Sequence, residues 1–295
     1  MGRLSDVSAI LDPYIIEKFG ERQVHFYHAD NIEQVLLHCK NGRLLTRRDL
    51  LNDPETRTAF FSDHLDTRLR VDDRIFGNPY DLGDIFVRGT SNCAPYIYGP
   101  IVFEFQPAVY SLMSDIIITP KSIATHGDSF LNHQIREESK VDEIVAYNPW
   151  EDTIVKSWQG CELSCDKQVI PLTYLKSISV EPIRVEGFTL DRLVTSLLKL
   201  YGVLDRNGNK IPVYERPYRL NNPAPLATIK ALGEFCHALP ADITEDQWGQ
   251  RVPAFPENLG PLTDSQVTRF RLWCRYFYFG SVQFVRFFQA NKAKS

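Results

Sequence analysis

Strand-like alternation over residues 138–147 is the feature that most constrains how this chain folds. Alternate residues of an extended chain fall on opposite faces, and Glu143 shares its face with Val141 and Val145. A carboxylate in line with core-facing valines must find a partner, change its protonation state or take part in chemistry. The alternative is an acid at the start of a strand that reaches solvent or a nearby arginine. The pattern predicts a strand that carries Glu143 into a cleft.

The organisation of the chain changes after Pro182. Before it, short strand-like and helical segments are mixed; after it, apolar residues recur at helical spacing in three segments, 190–201, 226–239 and 264–289. A chain of 295 residues can hold one large domain or a domain with an appendage. We predict an α+β domain over residues 1–182 and a helical extension packed on it over residues 183–295.

Composition excludes several classes of protein. No run of about 18 apolar residues is present, and the first residues lack an apolar signal core, so we expect a cytoplasmic protein that does not enter a membrane. The six cysteines form no paired CxxC motifs, which leaves a zinc site unsupported and fits a reducing compartment. We therefore expect no bound metal.

Charge is unevenly distributed along the chain. The net charge of −4 does not indicate a nucleic-acid binder. Residues 183–295, however, hold 15 Lys and Arg against 10 Asp and Glu, whereas residues 1–182 hold 18 against 27. A surface that contacts phosphates is therefore expected in the second part or along the rim between the two parts.

A basic and aromatic segment ends the chain. Four arginines, Arg269, Arg271, Arg275 and Arg286, alternate with nine Phe, Tyr and Trp residues. This mixture suits single-stranded nucleic acid, which binds through phosphate attraction and base stacking. A core helix whose arginines extend along its apolar surface explains the same pattern.

A loop rich in Gly, Ser and Pro, residues 89–100, lies between two predicted strands, 84–88 and 101–105. Such a loop can provide a bed for a flat ring, with Tyr96 or Tyr98 available to stack on it. Both tyrosines could equally be half-buried residues of the sheet.

The segment 24–31, Val-His-Phe-Tyr-His-Ala-Asp-Asn, predicts a short strand that ends in a polar turn before a helix. Together with Glu143 in a later strand, it resembles the mono-ADP-ribosyltransferase family, most closely the DarT-type toxins that modify nucleic acids. In that family a strand-borne His near the N-terminus holds the NAD ribose, and a Glu that opens a later strand is catalytic. The resemblance implies these roles for His28, with Asn31 beside it, and for Glu143.

Two further segments match the family in order and approximate spacing. Arg57 opens a stretch that resembles the family's segment with an Arg near the NAD phosphates and the reacting ribose, and His126 lies in a His-Gly element ahead of the predicted catalytic strand. The resemblance thus implies catalytic roles for Glu143 and Arg57 and NAD contacts from His28, with Asn31 beside it, and His126. Tyr96, from the loop 89–100, is expected to contact NAD by stacking on nicotinamide. The resemblance also implies an ADP-ribosyltransferase-like mixed sheet.

The resulting hypothesis is an NAD-consuming transferase that places ADP-ribose on single-stranded DNA or RNA. It would be the toxin of a toxin–antitoxin or phage-defence system, with an antitoxin protein as a partner. Two alternatives remain open: a protein mono-ADP-ribosyltransferase, and a non-catalytic module that binds NAD or partners.

Overall fold

The fold is taken from a computed structural model that describes residues 11–54, 56, 71–88, 99–122, 126–147, 160–166, 169–218 and 224–292. The α-helices of these ranges are α1 (Asp12–Glu21), α2 (Ile32–Asn41), α3 (Arg47–Asn52), α4 (Leu82–Arg88), α5 (Glu138–Ala146), α6 (Leu190–Leu200), α7 (Ala224–Ala238), α8 (Asp264–Phe277) and α9 (Phe284–Lys292). The strands are β1 (Phe26–Asp30), β2 (Ile75–Gly77), β3 (Ile101–Phe105), β4 (Ile117–Thr119), β5 (Glu162–Cys165), β6 (Leu175–Val180), β7 (Arg184–Val185), β8 (Phe188–Thr189) and β9 (Val213–Glu215).

Short 3-10 turns and one π-helical turn complete the set. The 3-10 turns are Pro107–Leu112, Gly127–His133, Leu172–Tyr174, Glu245–Gln247 and Glu257–Leu259. The π-helical turn, Tyr278–Gln283, joins α8 to α9 without a break in the helical path. None of the helices in the described ranges is both long and apolar enough to cross a bilayer.

Two sheets organise the first part of the chain. The larger sheet has the strand order β1-β3-β6-β9, in which β9 runs parallel to β6 and the other neighbours are antiparallel. The smaller sheet, β2-β5-β4, is antiparallel throughout. The main chains of Tyr27 and Asn78 exchange two hydrogen bonds of 2.9 Å, which connect β1 to the end of β2. The predicted α+β class with a mixed sheet is confirmed.

Residues from both parts of the chain enter one core. The apolar cluster that contains Phe26 and Phe103 also contains Val194, Trp273 and Val285. Strand β9, from the second part, forms an edge of the larger sheet. The helical segment after Pro182 is therefore packed intimately on the first part, while the boundary at residues 182 and 183 stays a prediction.

Local signals specified β1 and α2 correctly. Asn31 accepts a hydrogen bond from Gln34 N at 3.0 Å and Gln34 Oε1 accepts one from Asn31 N at 3.2 Å, which forms a capping box. Gly42 ends the helix with φ of 65°, a conformation that glycine adopts without strain. The predicted strand at 101–105 is also confirmed.

The strand predicted over residues 138–147 is wrong. These residues form helix α5, in which Val141 and Ile144 are buried one turn apart, followed by buried Tyr147. The spacing of three decides the structure, because each of these side chains enters the core from one face of a helix. Glu143 lies on the opposite, exposed face.

The strand predicted over residues 84–88 is also wrong, because Leu82–Arg88 is helix α4. Asp81 lies just before the helix, and its side chain accepts a hydrogen bond from Asp84 N at 3.0 Å. An acid that caps the first turn outweighs the strand propensity of the β-branched and aromatic residues that follow.

Candidate functional site

Two histidines share one buried carboxylate at the end of β1. Asp30 Oδ2 lies 3.1 Å from His28 Nε2 and 3.0 Å from His38 Nε2. Asp30 and His38 are buried, and His28 keeps 16% of its side chain exposed. The group joins β1 to the middle of α2, and only His28 presents an accessible edge.

Hydrogen-bond partners define the protonation of both rings. His28 Nδ1 lies 2.6 Å from the carbonyl oxygen of Phe76, which can only accept, and His28 Nε2 faces the Asp30 carboxylate. Both nitrogens of His28 therefore donate, and the ring is an imidazolium. His38 Nδ1 accepts from Leu45 N at 3.1 Å, so His38 is neutral and donates from Nε2.

The pKa shifts agree with this assignment. Burial opposes the charged form of His28, but the Asp30 carboxylate outweighs it and raises the pKa of His28. Burial likewise opposes ionised Asp30, but the two histidines hold the pKa of Asp30 at about 2. Burial lowers the pKa of His38. The fold thus favours a partly buried His28 cation paired with the buried Asp30 anion.

His28, Asp30 and His38 also have the residue types and proximity of a metal site, with all three ligand atoms within 4.8 Å of one another. The donor set does not fit a metal. Ligation through His38 Nε2 would move the ring proton to Nδ1, where it would meet the Leu45 N–H, a second donor. The cluster is accordingly a hydrogen-bonded structural group.

Strand β2 connects His28 to the first residue of β5. The register pairs Phe76 with Ser164 and Gly77 with Leu163, so the residues next along each strand are Asn78 and Glu162. The Asn78 side chain donates from Nδ2 to the carbonyl oxygen of Cys161 at 2.7 Å. His28 and Glu162 therefore lie on strands flanking β2, and Asn78 links the two strands by hydrogen bonds to Tyr27 and Cys161.

Glu162 lies half-buried on one face of the smaller sheet. Because strand side chains alternate, Glu162 shares that face with Ser164, whose partners are Phe76 and Ile117. Phe130, from the 3-10 turn that follows His126, packs with Ile117 and Phe76. This turn covers the same face as Glu162.

Buried Arg74 fixes the strand that carries Glu162. Its Nε donates to Ser164 Oγ at 3.1 Å and its Nη2 to the Ser164 carbonyl at 3.2 Å, while Nη1 pairs with Asp115 at 2.7 Å. Three contacts to a buried guanidinium restrict the position of β5 strongly. Arg74 therefore has a structural role in these contacts.

Glu162 is an acid that the sequence patterns did not single out. Strand β5 has no strong signal in the sequence, because Glu-Leu-Ser-Cys has few residues of high strand propensity. The signal available for a strand was the alternation of polar Glu162 and Ser164 with apolar Leu163 and Cys165, just after Gly160. Glu143, the predicted residue, pairs instead with Lys140 at 2.6 Å on the exposed face of α5, with 48% of its side chain accessible.

The other predicted residues have mixed positions. Asn31 is the buried cap of α2, and Arg57 and Tyr96 lie outside the described residues. His126 stacks on His133, with ring centroids 4.1 Å apart, and burial, followed by the charge of His133, lowers the pKa of His126. Its Nε2 is buried and has no hydrogen-bond partner among the described residues.

A cavity of about 330 Å³ is lined in part by Tyr27, Glu104 and Arg216. Its charged groups are already paired. Glu104 accepts from His25 at 2.5 Å and from Lys176 at 3.0 Å, and Arg216 donates to Asp81 at 2.8 Å. Burial would raise the pKa of Glu104, but hydrogen bonds from His25, Ser177 and Lys176 lower it to about 2.

The basic and aromatic segment at the end of the chain forms a core helix. Phe270 and Trp273 are buried, so they offer no stacking surface for bases. Arg275 pairs with Glu245, and Arg286 donates to Glu186 Oε1 at 2.6 Å and to two backbone carbonyls. The core-helix alternative describes these side chains, whereas Arg271, Phe287 and Phe288 of the same segment are exposed.

Comparisons with known proteins give structural matches only. No family model and no curated protein matches the sequence. The chain is similar to DarT from Thermus sp. 2.9 in complex with ADP-ribosylated ssDNA, with 14% identity, a TM-score of 0.40 and coverage of 66% of this chain and 94% of that chain. The complexes of that protein with NAD+ and with carba-NAD+ each give 16% identity, a TM-score of 0.39 and coverage of 66% and 96%.

Proposed function

We propose that this protein transfers ADP-ribose from NAD to single-stranded nucleic acid. One observation carries the proposal: His28 on β1 and Glu162 at the start of β5 flank β2, and Asn78, the residue after β2, links the two strands by hydrogen bonds to Tyr27 and Cys161. In DarT-type transferases, which the sequence resembles, a strand-borne His holds NAD and a Glu that opens a later strand is catalytic. Glu162 opens a strand and Glu143 does not, so the catalytic role moves to Glu162.

The chemistry requires a carboxylate beside the reacting ribose. The bond from ribose C1′ to the nicotinamide nitrogen breaks with its electron pair leaving on nicotinamide, and the sugar becomes oxocarbenium-like, as in glycoside hydrolysis. The Glu162 carboxylate stabilises this cation. It then takes the proton that the acceptor nucleophile loses on forming its bond to C1′. Glu162 is half-buried, so part of the residue is exposed to solvent.

His28 is proposed to hold the ribose. Both ring nitrogens already donate within the protein, so NAD must replace one of these acceptors. Exchange of the Phe76 carbonyl for a ribose oxygen leaves the Asp30 anion paired, whereas loss of the Asp30 contact would leave a buried carboxylate with one partner fewer. Nδ1 is therefore the proposed contact atom.

The remaining roles follow the family resemblance, except that of Tyr96, which follows from the Gly/Ser/Pro-rich composition of its loop. Arg57 would contact the NAD phosphates or the reacting ribose, Tyr96 would stack on nicotinamide, and His126 would line the pocket beside the face that carries Glu162. Asn31 is buried as a helix cap, so we propose that it acts by holding the end of β1 and not by touching NAD.

The acceptor is proposed to be single-stranded DNA or RNA, and the setting a cytoplasmic toxin–antitoxin or phage-defence system with a protein antitoxin. The excess of positive charge after Pro182 supports a phosphate-binding surface on that side. Since Arg275 and Arg286 are held by acids, exposed Arg271 is a better candidate for a phosphate contact.

The test is incubation of the purified protein with NAD labelled in the ADP-ribose moiety and, separately, single-stranded DNA, single-stranded RNA or lysate protein. Label on a nucleic acid is the expected result, and the strand that accepts it identifies the substrate. Label on protein alone would favour a protein mono-ADP-ribosyltransferase. Binding of NAD with no consumption in any mixture would favour the non-catalytic module.

A further inference from the structure

The π-helical turn Tyr278–Gln283 lies against the end of β1. π-Helical turns are rare and occur often at functional sites. Five of its six residues are buried, and Ser281 Oγ accepts a 3.4 Å hydrogen bond from Ile32 N, in the first turn of α2. The turn thus contacts the helix start that directly follows Asp30.

Gly280 makes the closest approach. A Cβ built on Gly280 would lie 2.9 Å from Asn31 Cβ and closer still to the Asn31 amide. The φ angle of Gly280 is outside the left-handed region, so glycine is required here by space and not by backbone conformation. Asn31 occupies the volume that a side chain at Gly280 would fill.

Helix α8, which precedes the π-helical turn, also contacts the capping box of Asn31 and Gln34. The hydroxyl of Tyr276, one turn before Gly280, donates to Gln34 Oε1, which also accepts from Asn31 N at 3.2 Å. Two separate contacts from the C-terminal helices therefore converge on Asn31 and Gln34.

The π-helical turn is also held by hydrogen bonds to the segment 240–243. The Tyr278 hydroxyl donates to the Pro240 carbonyl at 2.5 Å, and Gln283 Nε2 donates to the carbonyls of Ala241 and Ile243 at 3.0 Å each. These hydrogen bonds restrict movement of the turn away from β1. Extra volume at Gly280 would therefore displace Asn31 and, through it, Asp30.

We infer that the π-helical turn is a positioning element for the His28–Asp30 pair, and that Gly280 and Tyr276 set the position of the β1 end that presents His28 to NAD. The inference rests on the proposed function for its consequence in catalysis. Its structural content, the placement of His28 against Asp30, is independent of any activity. The segment after Pro182 then belongs to the site of the first part and is not a separable appendage.

The test compares Gly280→Ala with Gly233→Ala, a matched control in α7. Gly233 is also a buried helical glycine, but a Cβ there meets Ile183 Cγ2 at 3.4 Å, an ordinary contact. The first readout is the His28 imidazole followed by nitrogen NMR against pH, in the full chain without NAD. Among the described residues, Asp30, His38 and Arg47 act on the charge of His28, and all three remain present in both variants.

Gly280→Ala is expected to move the His28 titration toward that of an ordinary histidine and to raise the KM for NAD on the order of tenfold, because a small displacement is costly at a site that needs fixed geometry. Gly233→Ala is expected to leave both unchanged. Combining Gly280→Ala with Asn31→Gly removes the crowding while keeping an acceptable cap, and should restore the His28 titration toward that of Asn31→Gly alone.

A folded Gly280→Ala protein with the wild-type His28 titration would overturn the inference. If that variant does not fold, Tyr276→Phe replaces it, because it removes only the hydroxyl that donates to Gln34. A shift of the His28 titration toward that of an ordinary histidine supports the inference. An unchanged His28 titration overturns it. A failure of the proposed function looks different, because NAD would then not be consumed by the wild-type protein whatever the NMR shows.

Discussion

The side chain of Asn78 donates a 2.7 Å hydrogen bond to the carbonyl oxygen of Cys161, the residue before Glu162. The main chain of Asn78 also exchanges two hydrogen bonds with Tyr27, the residue before His28. One buried asparagine therefore sets the separation of the two residues that the proposed reaction requires. Its removal tests whether that separation matters.

Asn78→Ala is expected to lower kcat for NAD consumption on the order of tenfold or more, because the Cys161 carbonyl loses the hydrogen bond that fixes the chain just before Glu162. The free energy of unfolding should fall by about 1–3 kcal/mol, the usual cost of an unmet buried group. Steady-state kinetics and a denaturant titration measure the two effects.

Asn41→Ala is the matched control, since Asn41 Nδ2 donates to the Leu37 carbonyl at 2.8 Å, a bond of the same type away from β5. It should lower stability and leave kcat at the wild-type value. Equal kcat losses in the two variants would mean that stability, and not the placement of Glu162, explains the result.

Sequence patterns predicted the elements whose signals are local. The β1–α2 unit has an alternating strand, an Asn31 cap and a Gly42 stop within a short stretch, and the structure has the same unit. Residues 138–147 carry two periods at once. Val141 and Val145 fit a strand, whereas Val141, Ile144 and Tyr147 fit a helix, and only packing against the rest of the core selects the helix.

The candidate site was harder to predict because its contacts span long sequence separations. Strand β5 is stabilised by pairing with β2 and β4 on both sides and not by strand-forming residues of its own. Glu162 therefore had no strong local signal, while Glu143 had a misleading one. The ion pairs of Arg275 and Arg286 likewise depend on Glu245 and Glu186, which the order of residues does not bring together.

The pH dependence of stability should report the His28–Asp30 pair. The pKa of His28 is raised in the folded protein, so its contribution is present below the ordinary histidine pKa of about 6.5 and is lost as pH rises through the folded value. The pKa of Asp30 is lowered to about 2, so its contribution is present above the ordinary value of about 3.9 and is lost as pH falls toward 2. Stability from this pair is therefore greatest between those limits.

Asp30→Asn should lower the free energy of unfolding by about 3 kcal/mol near pH 6, since it leaves a buried cation without its counter-ion. It should also remove the alkaline decline that His28 causes. Denaturant titrations from pH 4 to 9 measure this, and the same alkaline decline in Asp30→Asn as in the wild type would show that another group is responsible.

Arg275→Ala should reduce stability without a selective effect on the acceptor. Arg275 is held by Glu245, so its loss leaves a partly buried acid without that partner and should cost about 1 kcal/mol. NAD hydrolysis and transfer to nucleic acid should then fall in parallel near the melting temperature and match the wild type well below it.

Arg271→Ala provides the comparison, because Arg271 is exposed. If Arg271 contacts phosphate, transfer should weaken and lose part of its salt dependence, since about one released counterion is lost with the contact, while hydrolysis is retained. A selective loss of transfer in Arg275→Ala at low temperature would restore the earlier view that this arginine guides the strand.

The central claim is that Glu162 is the catalytic carboxylate, and paired glutamine substitutions test it most directly. Glu162→Gln and Glu143→Gln make the same chemical change on a strand of the smaller sheet and on the exposed face of α5. The measurement is turnover of NAD at saturating concentration for each folded variant, beside NAD affinity by calorimetry. The account predicts a loss of at least about a hundredfold in kcat for Glu162→Gln with NAD still bound, and wild-type turnover for Glu143→Gln. Wild-type turnover in Glu162→Gln would contradict it.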